Sequence, residues 1–390
     1  MELKWNRHVL ILYDKHGDEK VAAALKAHFE KEFDPCDVVM IDSESYSVSL
    51  VFKLRQLLYK ISYKYFRHYL AFTSKEKEKK EEKRVQELVK TGGEGENKKA
   101  KPFTIKRILN IMRRFEPVMV LCTTPEALDL TLIAKNDLAM DYRTVGVISQ
   151  FALDASFVRP KVDGYFVENP EVKKRLMNSG VIEERIAVVG YPTTFSAESF
   201  DRQLKRKALG LTGNLPLVVV NGGDYDTYTL KRDVIKLMEK KNDYYLMIIA
   251  KDKKLRKYYT KLPEFSAGSG LMNDVLSDDI LDAADILVTV PDTSAIFGAF
   301  MRGVPVILAD GVTSLENQIK SYLVKRALVI PSRTPDETLY GVYEILDEPF
   351  RKNEFKYRGQ VYVRLSVNDI HNITPQIEND GVAKLTNKTN

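Results

Sequence analysis

The chain is poor in cysteine and has no long apolar run. Cys36 and Cys122 are its only two cysteines. Both lie in or beside apolar segments, with no Cys-x-x-Cys pair and no histidine cluster. That argues against a disulfide framework or a metal cluster and predicts buried, reduced thiols. No segment approaches the roughly 20 apolar residues of a membrane span. Met1 to Val9 carries Lys, Arg and His but neither an apolar core nor a cleavage site, so a signal peptide is not expected. Any membrane contact is therefore expected to be peripheral. What is present fits a packed protein: 44% hydrophobic residues, 20 Tyr and 17 Phe in 390 residues, a length that suits two or three domains. The net charge of +6 suits an anionic surface or a phosphate ligand and gives no argument for a nucleic-acid partner.

Apolar runs separated by helix-period segments predict a parallel sheet. The runs His8–Tyr13, Asp37–Ile41, Val118–Cys122, Thr144–Ile148, Gly164–Val167 and Ile186–Val189 read as strands. Helices are expected at Lys20–Glu32, Thr104–Phe115, after Thr124-Pro125-Glu126 and over Glu171–Ser179, the last two opened by Pro at the first turn. A linker-like helix, Ser196–Leu209, precedes a second series. Its strands are Leu217–Val220, Tyr245–Ala250, Ile286–Val290, Val304–Leu308 and Ala327–Ile330. Its helices are Tyr228–Lys240, Leu276–Ala284, Ser294–Met301, Leu315–Leu323 and Asp336–Leu346.

This predicts two Rossmann-like domains, 1–195 and 196–350, with an extension and polar tail over 351–390. Residues 72–103 read as a charged, flexible insertion, with an exposed charged helix over Ser74–Lys90 followed by a mobile loop. Ser45–Phe72 contains no Asp or Glu and has Leu50, Leu54, Leu57, Leu58, Ile61 and Tyr65 at helical spacing among Lys53, Arg55, Lys60, Lys64 and Arg67. It reads either as a basic amphipathic helix on anionic lipid or as a helix packed on its own domain.

Open parallel sheets place ligands beyond the carboxyl ends of their strands. Asn221-Gly222-Gly223 follows a strand and precedes a helix, where backbone N–H groups can approach a phosphate; a tight turn explains the glycines equally well. At Pro291-Asp292-Thr293-Ser294 a ligand contact competes with simple helix capping, and Asp292 would repel a phosphate placed on it.

Val162–Pro192, VDGYFVENPEVKKRLMNSGVIEERIAVVGYP, resembles the centre of the monogalactosyldiacylglycerol synthase and processive diacylglycerol glucosyltransferase family. Ile280–Leu308, ILDAADILVTVPDTSAIFGAFMRGVPVIL, with Leu315-Glu316-Asn317-Gln318, is similar to that family's donor-binding half. The likeness runs from His8 to about Leu346, and the 72–101 stretch has no counterpart. It implies a GT-B fold, two Rossmann-like domains whose parallel sheets face an inter-domain cleft. It also implies an inverting transfer of a hexose from a nucleotide sugar, a UDP-sugar foremost, to a lipid such as diacylglycerol. No cofactor or metal is implied, the nucleotide sugar being a substrate. The expected place is the cytoplasmic face of the cell membrane.

The family's motifs are altered here. G-x-G-H becomes Gly17-Asp18-Glu19-Lys20, with Lys20 at the His position. T-D-[FY]-x-x-H-x-x-W becomes Ser149 to Phe157, with Gln150 for the carboxylate and Asp154 for the His. In K-P-G-G-x-T-x-x-E, the Glu that holds the ribose becomes Gly298. Losing one such contact costs about 1–3 kcal/mol. His16, Glu19, Lys20 and Asp154 are the candidate catalytic residues, a base being needed to deprotonate the acceptor, with Asp14 also in reach. Gly222, Gly223, Thr293, Ser294, Glu316 and Asn317 are the candidates for the nucleotide sugar. The altered motifs leave two readings: a transferase of changed chemistry, or a catalytically inactive pseudo-glycosyltransferase that binds or scaffolds.

Overall fold

The computed structural model describes residues 7–14, 18–32, 36–43, 66–90, 102–159, 161–194, 201–211, 213–223, 228–240, 242–266 and 270–367. The chain divides into two compact units. The first is Met1–Gln56, Glu76–Thr194 and Leu365–Asn390; the second is Leu57–Lys75 and Phe195–Arg364.

The first unit is built on six strands: β1 (Arg7–Tyr13), β2 (Cys36–Asp42), β3 (Met119–Cys122), β4 (Arg143–Ile148), β5 (Gly164–Val167) and β6 (Ile186–Val188). Their order is β2-β1-β3-β4-β5-β6 and every pairing is parallel. Strands covered on both faces need no alternation, which is why HVLILY and MVLC are apolar throughout. Leu10, Leu12, Val120, Cys122, Ile148 and Val167 enter one buried cluster with Leu128, Tyr142, Tyr165 and Leu176 from the surrounding helices and strands. Cys122 is buried and bonded to Thr131 Oγ1 at 3.3 Å, and burial pushes its thiol up to about 12, so the thiolate is not formed near neutral pH.

The second unit repeats the plan with β7 (Leu217–Asn221), β8 (Tyr245–Ile249), β9 (Gly270–Asn273), β10 (Ile286–Thr289), β11 (Val306–Leu308) and β12 (Ile330–Pro331). The order is β12-β11-β10-β7-β8-β9, again parallel. Asp292 caps the helix Thr293–Arg302 and Gly303 closes it at φ +64°, a left-handed stop that favours glycine.

Four expectations are corrected. The 72–103 insertion is not flexible throughout: the charged helix expected over Ser74–Lys90 is there as part of a longer one, Arg67–Lys90, and a second helix begins at Pro102. Leu70 and Val85 are buried, and Val85 joins the first unit's core; two anchors fifteen residues apart suffice to dock an otherwise charged helix. The boundary at 195 and 196 omits residues 57–75, which cluster with the second unit; there Arg67 donates to the Tyr228 carbonyl and Ser314 N–H to Ser74 Oγ. The second unit does not stop at 350. The helix Pro349–Val367 buries Phe355 in its core and lays Lys352 against Asp285. The last strand is Ile330–Pro331, later than expected, because the preceding helix ends in a left-handed Ala327. Most of the basic stretch 45–72 lies outside the described residues, as do 91–101 and 368–390.

Candidate functional site

Each sheet reverses its winding once, and a reversal leaves a crevice at the carboxyl ends of the two strands involved. In the first unit the chain winds from β1 out to β2 and returns past β1 to β3. Tyr13 and Asp14 end β1 here, and Thr123 and Thr124 follow β3. Burial, with the charges of Glu19 and Asp42, raises the Tyr13 phenol above its usual value, so it stays a hydroxyl at neutral pH. Thr124 caps the helix Pro125–Leu138. Thr123 Oγ1 is buried and without a partner, as is the amide oxygen of Gln150 just beyond β4. Native proteins leave few such atoms, and a water or ligand commonly meets them.

The sequence candidates of this unit are placed differently. Glu19 and Lys20 lie exposed in the first turn of the helix Glu19–Glu32. Asp154 caps the short turn Ala155–Phe157, its carboxylate accepting from Ser156 N–H at 2.9 Å. His16 lies outside the described residues.

In the second unit the reversal falls between β7 and β10. Asn221, Gly222 and Gly223 leave β7, and Pro291 to Ser294 leave β10. The two segments meet. Asn221 Nδ2 donates to Thr289 Oγ1 at 3.3 Å and to Asp292 Oδ2 at 3.2 Å. Asp292 Oδ1 accepts from Ala295 N–H at 3.2 Å. Gly223 has φ +66°, and a Cβ there would lie 3.3 Å from Asp292 Oδ2. A carboxylate of the chain itself therefore stands between the glycine turn and the helix end, where a phosphate would gain most from the helix dipole. Thr293 and Ser294 form the first turn of that helix.

Glu316 and Asn317 serve their own helix, Ser314–Lys325. Glu316 Oε2 accepts from Val312 and Thr313 N–H at 2.6 and 2.9 Å, completing a capping box with Thr313. Asn317 Nδ2 donates to the Thr313 carbonyl at 2.9 Å. Gly298 is buried in the helix Thr293–Arg302, and a Cβ there would lie 2.8 Å from Leu281 Cδ1. Sequence reasoning missed Thr289, Thr123 and the unpaired oxygen of Gln150. The available signal was a polar residue closing an apolar strand, as in ILVT and MVLCT. Among the described residues no three His, Cys, Asp or Glu gather to hold a metal ion.

The family model for monogalactosyldiacylglycerol (MGDG) synthase matches residues 18–193. Over that span the chain resembles the MGDG synthase family. The processive diacylglycerol beta-glucosyltransferase of Staphylococcus carnosus is 21% identical over 256 residues, 64% of this chain and 64% of that protein, so the match spans less than two thirds of the relative's length. Among solved structures, Acinetobacter baumannii MurG superposes with a TM-score of 0.57 at 10% identity over 96% of this chain and 99% of its own. The UDP-GlcNAc 2-epimerase of Neisseria meningitidis, bound to UDP-GlcNAc, gives 0.61 at 10% identity over 95% and 100%. The fold of this chain is thus the GT-B architecture, α/β with two six-stranded parallel sheets. An epimerase shares the architecture with transferases, so the chemistry has to be argued from the site.

Proposed function

We propose that the chain transfers a hexose from a nucleotide sugar, a UDP-sugar foremost, to the hydroxyl of a lipid such as diacylglycerol. The observation that carries this reading is the match of the MGDG synthase family model across 18–193, the part that holds the altered acceptor motifs. On this reading the donor meets Gly222, Gly223, Thr293 and Ser294 at the β7 and β10 ends. The acceptor hydroxyl meets the β1, β3 and β4 ends, where His16, Glu19 and Asp154 are the titratable candidates for its proton and Lys20 a cation for the leaving diphosphate. The reading includes a peripheral approach to an anionic bilayer on the cytoplasmic side. Phe66, Tyr69 and Phe72 support it: they are 59%, 63% and 62% exposed at three-residue spacing, an aromatic face suited to a headgroup boundary. No described helix is long and apolar enough to cross a membrane.

The test is incubation with UDP-glucose, UDP-galactose and UDP-N-acetylglucosamine over vesicles holding diacylglycerol, with and without anionic lipid. Glycosylated diacylglycerol is expected, and faster on the anionic vesicles. A nucleotide with Kd near 100 μM, present at about 10 mM, adds roughly 2.7 kcal/mol of stability, a melting shift of several degrees. Absence of product together with absence of a shift for any nucleotide would sink the reading.

A second reading, binding without transfer, is favoured by Asp292. A carboxylate held by Asn221 and Ala295 N–H competes with a diphosphate for one helix end. Asp292→Gly should therefore bind UDP about tenfold more tightly than the wild type, a gain of roughly 1.4 kcal/mol, by titration calorimetry. Equal or weaker binding in the variant would mean that Asp292 does not exclude phosphate.

A further inference from the structure

The connection from β4 to β5, Ser149 to Asp163, has one short turn of its own, Ala155–Phe157. A segment with so few backbone bonds is ordinarily a mobile part of a fold. Here side chains take up its carbonyl groups instead. Asn169 Nδ2 donates to the Phe151 carbonyl at 3.2 Å. The buried Arg159, held by Asp129, turns back to the Ser156 and Val158 carbonyls at 2.5 and 2.9 Å. Tyr165 OH reaches the Phe157 carbonyl at 3.1 Å.

One clamp comes from far away in the sequence. Arg84, on the helix Arg67–Lys90, donates through Nη2 to the Val158 carbonyl at 3.1 Å and to the Ala155 carbonyl at 3.4 Å. Glu81, one turn earlier, holds Arg84 Nε at 2.6 Å and aims the guanidinium. Val85, the next residue, is buried in the cluster that contains Leu153, Phe157 and Val158. The helix is therefore fixed to this connection by packing as well as by charge-assisted hydrogen bonds. At the start of the same connection the Gln150 amide oxygen is buried and unpaired. The other polar groups just described bond to the connection itself, whereas this acceptor has no partner among the described residues.

We propose that Arg84 is a positioning residue: through it the charged helix holds the β4–β5 connection so that Gln150 is kept in place for the hydroxyl of the lipid acceptor. The proposal rests on the transferase reading for the acceptor, but the clamp itself is measurable without any substrate. The amides of Phe157 and Val158 close the turn by bonding to the Asp154 and Ala155 carbonyls. In Arg84→Ala they should exchange with deuterium roughly 10- to 100-fold faster, the factor that loss of a hydrogen bond to a charged group corresponds to. Arg84→Lys should fall between. Glu81→Gln, which keeps the cation but frees its aim, should move the same amides in the same direction. Lys83→Ala, on the exposed side, should leave them unchanged.

With UDP-glucose and diacylglycerol vesicles, Arg84→Ala should raise the acceptor KM about tenfold and leave kcat and the donor KM near wild type. Wild-type exchange at Phe157 and Val158 in both Arg84→Ala and Glu81→Gln would overturn the proposal. So would a uniform rise in exchange across β3, β4 and β5, because Arg84 would then be a general stabiliser. If the wild type transfers nothing to any lipid, the transferase reading falls, while the exchange pattern still decides whether the clamp exists.

Discussion

Replacing Asp285 by alanine is expected to lower the stability of the second unit by about 3 kcal/mol, read as a drop in the urea midpoint by circular dichroism. This buried carboxylate joins three segments that approach from different parts of the chain. Oδ2 accepts from Leu217 N–H at 2.9 Å, at the start of β7, and pairs with Arg202 at 2.8 Å. Oδ1 pairs with Lys352 at 2.8 Å, from the helix Pro349–Val367. Arg206 approaches Oδ2 to 3.5 Å and is itself only 7% exposed. Breaking a buried pair costs about 3–5 kcal/mol because the partner is left charged and unpaired. The low end applies, since Arg202 and Lys352 can turn toward water and only Arg206 stays buried, where it still has the Ala283 and Leu215 carbonyls.

The same cluster fixes a pH dependence. Burial by itself raises the Asp285 carboxyl; the hydrogen bond from Lys352, the charge of Arg202 and the Leu217 amide outweigh it and hold the group below its usual value. A carboxyl depressed in the folded state adds stability above its unfolded pKa of about 3.9, and that stability is lost as pH falls through the lower folded value. The difference in urea midpoint between wild type and Asp285→Asn should therefore be constant from neutral pH to about 5 and shrink on further acidification. A difference independent of pH down to 3 would show that the ion cluster is not what Asp285 contributes.

The sequence exposes the frame of this fold more readily than its site, for physical reasons. Buried parallel strands such as HVLILY and LVVVN announce themselves by being apolar on both faces. Helix starts are legible where Pro follows a capping residue, as at Thr124-Pro125 and Asn169-Pro170. The strand GLMN escapes because it lies at a sheet edge and is only half-buried. The helix Lys253–Tyr259 escapes because only Leu255 and Tyr259 are buried in a strongly basic segment. The helix Arg67–Lys90 reads as solvated because its anchors are sparse. At the site the difficulty is chemical. A carboxylate that caps a helix and one that binds a ligand are the same residue type at the same strand-to-helix junction, so Asp154, Glu316 and Asp292 are ambiguous until their partners are seen. Thr313-x-x-Glu316 is the exception, since that spacing is itself a capping-box signature. Gly298 is opaque for another reason: its constraint comes from Leu281, in the preceding helix.

That constraint makes the second large prediction. Gly298→Glu, which restores the family residue by the spacing from Gly303-Val304-Pro305, should destabilise the second unit by about 3 kcal/mol or more and leave UDP affinity no better. A Cβ at 298 already stands 2.8 Å from Leu281 Cδ1, closer than real contacts allow, and Leu281 is buried. The Leu281 side chain, from the helix Asp278–Ala283, thus occupies the space beside Gly298 in the helix Thr293–Arg302. A glutamate would add an overpacked stem and a carboxylate in an apolar contact. Its nearest cation, Arg302, has a nitrogen 3.9 Å from that Cβ but is already committed to Asp282, Asp278 and the Gly298 carbonyl. Adding Leu281→Ala should recover part of the lost stability, because the alanine gives the new stem room; additivity of the two losses would show that the sites do not touch. A single Gly298→Glu variant that folds as well as the wild type and binds UDP more tightly would instead mean that the position faces the ligand. The packing argues the other way, since Leu281 fills the space that a side chain at 298 would need.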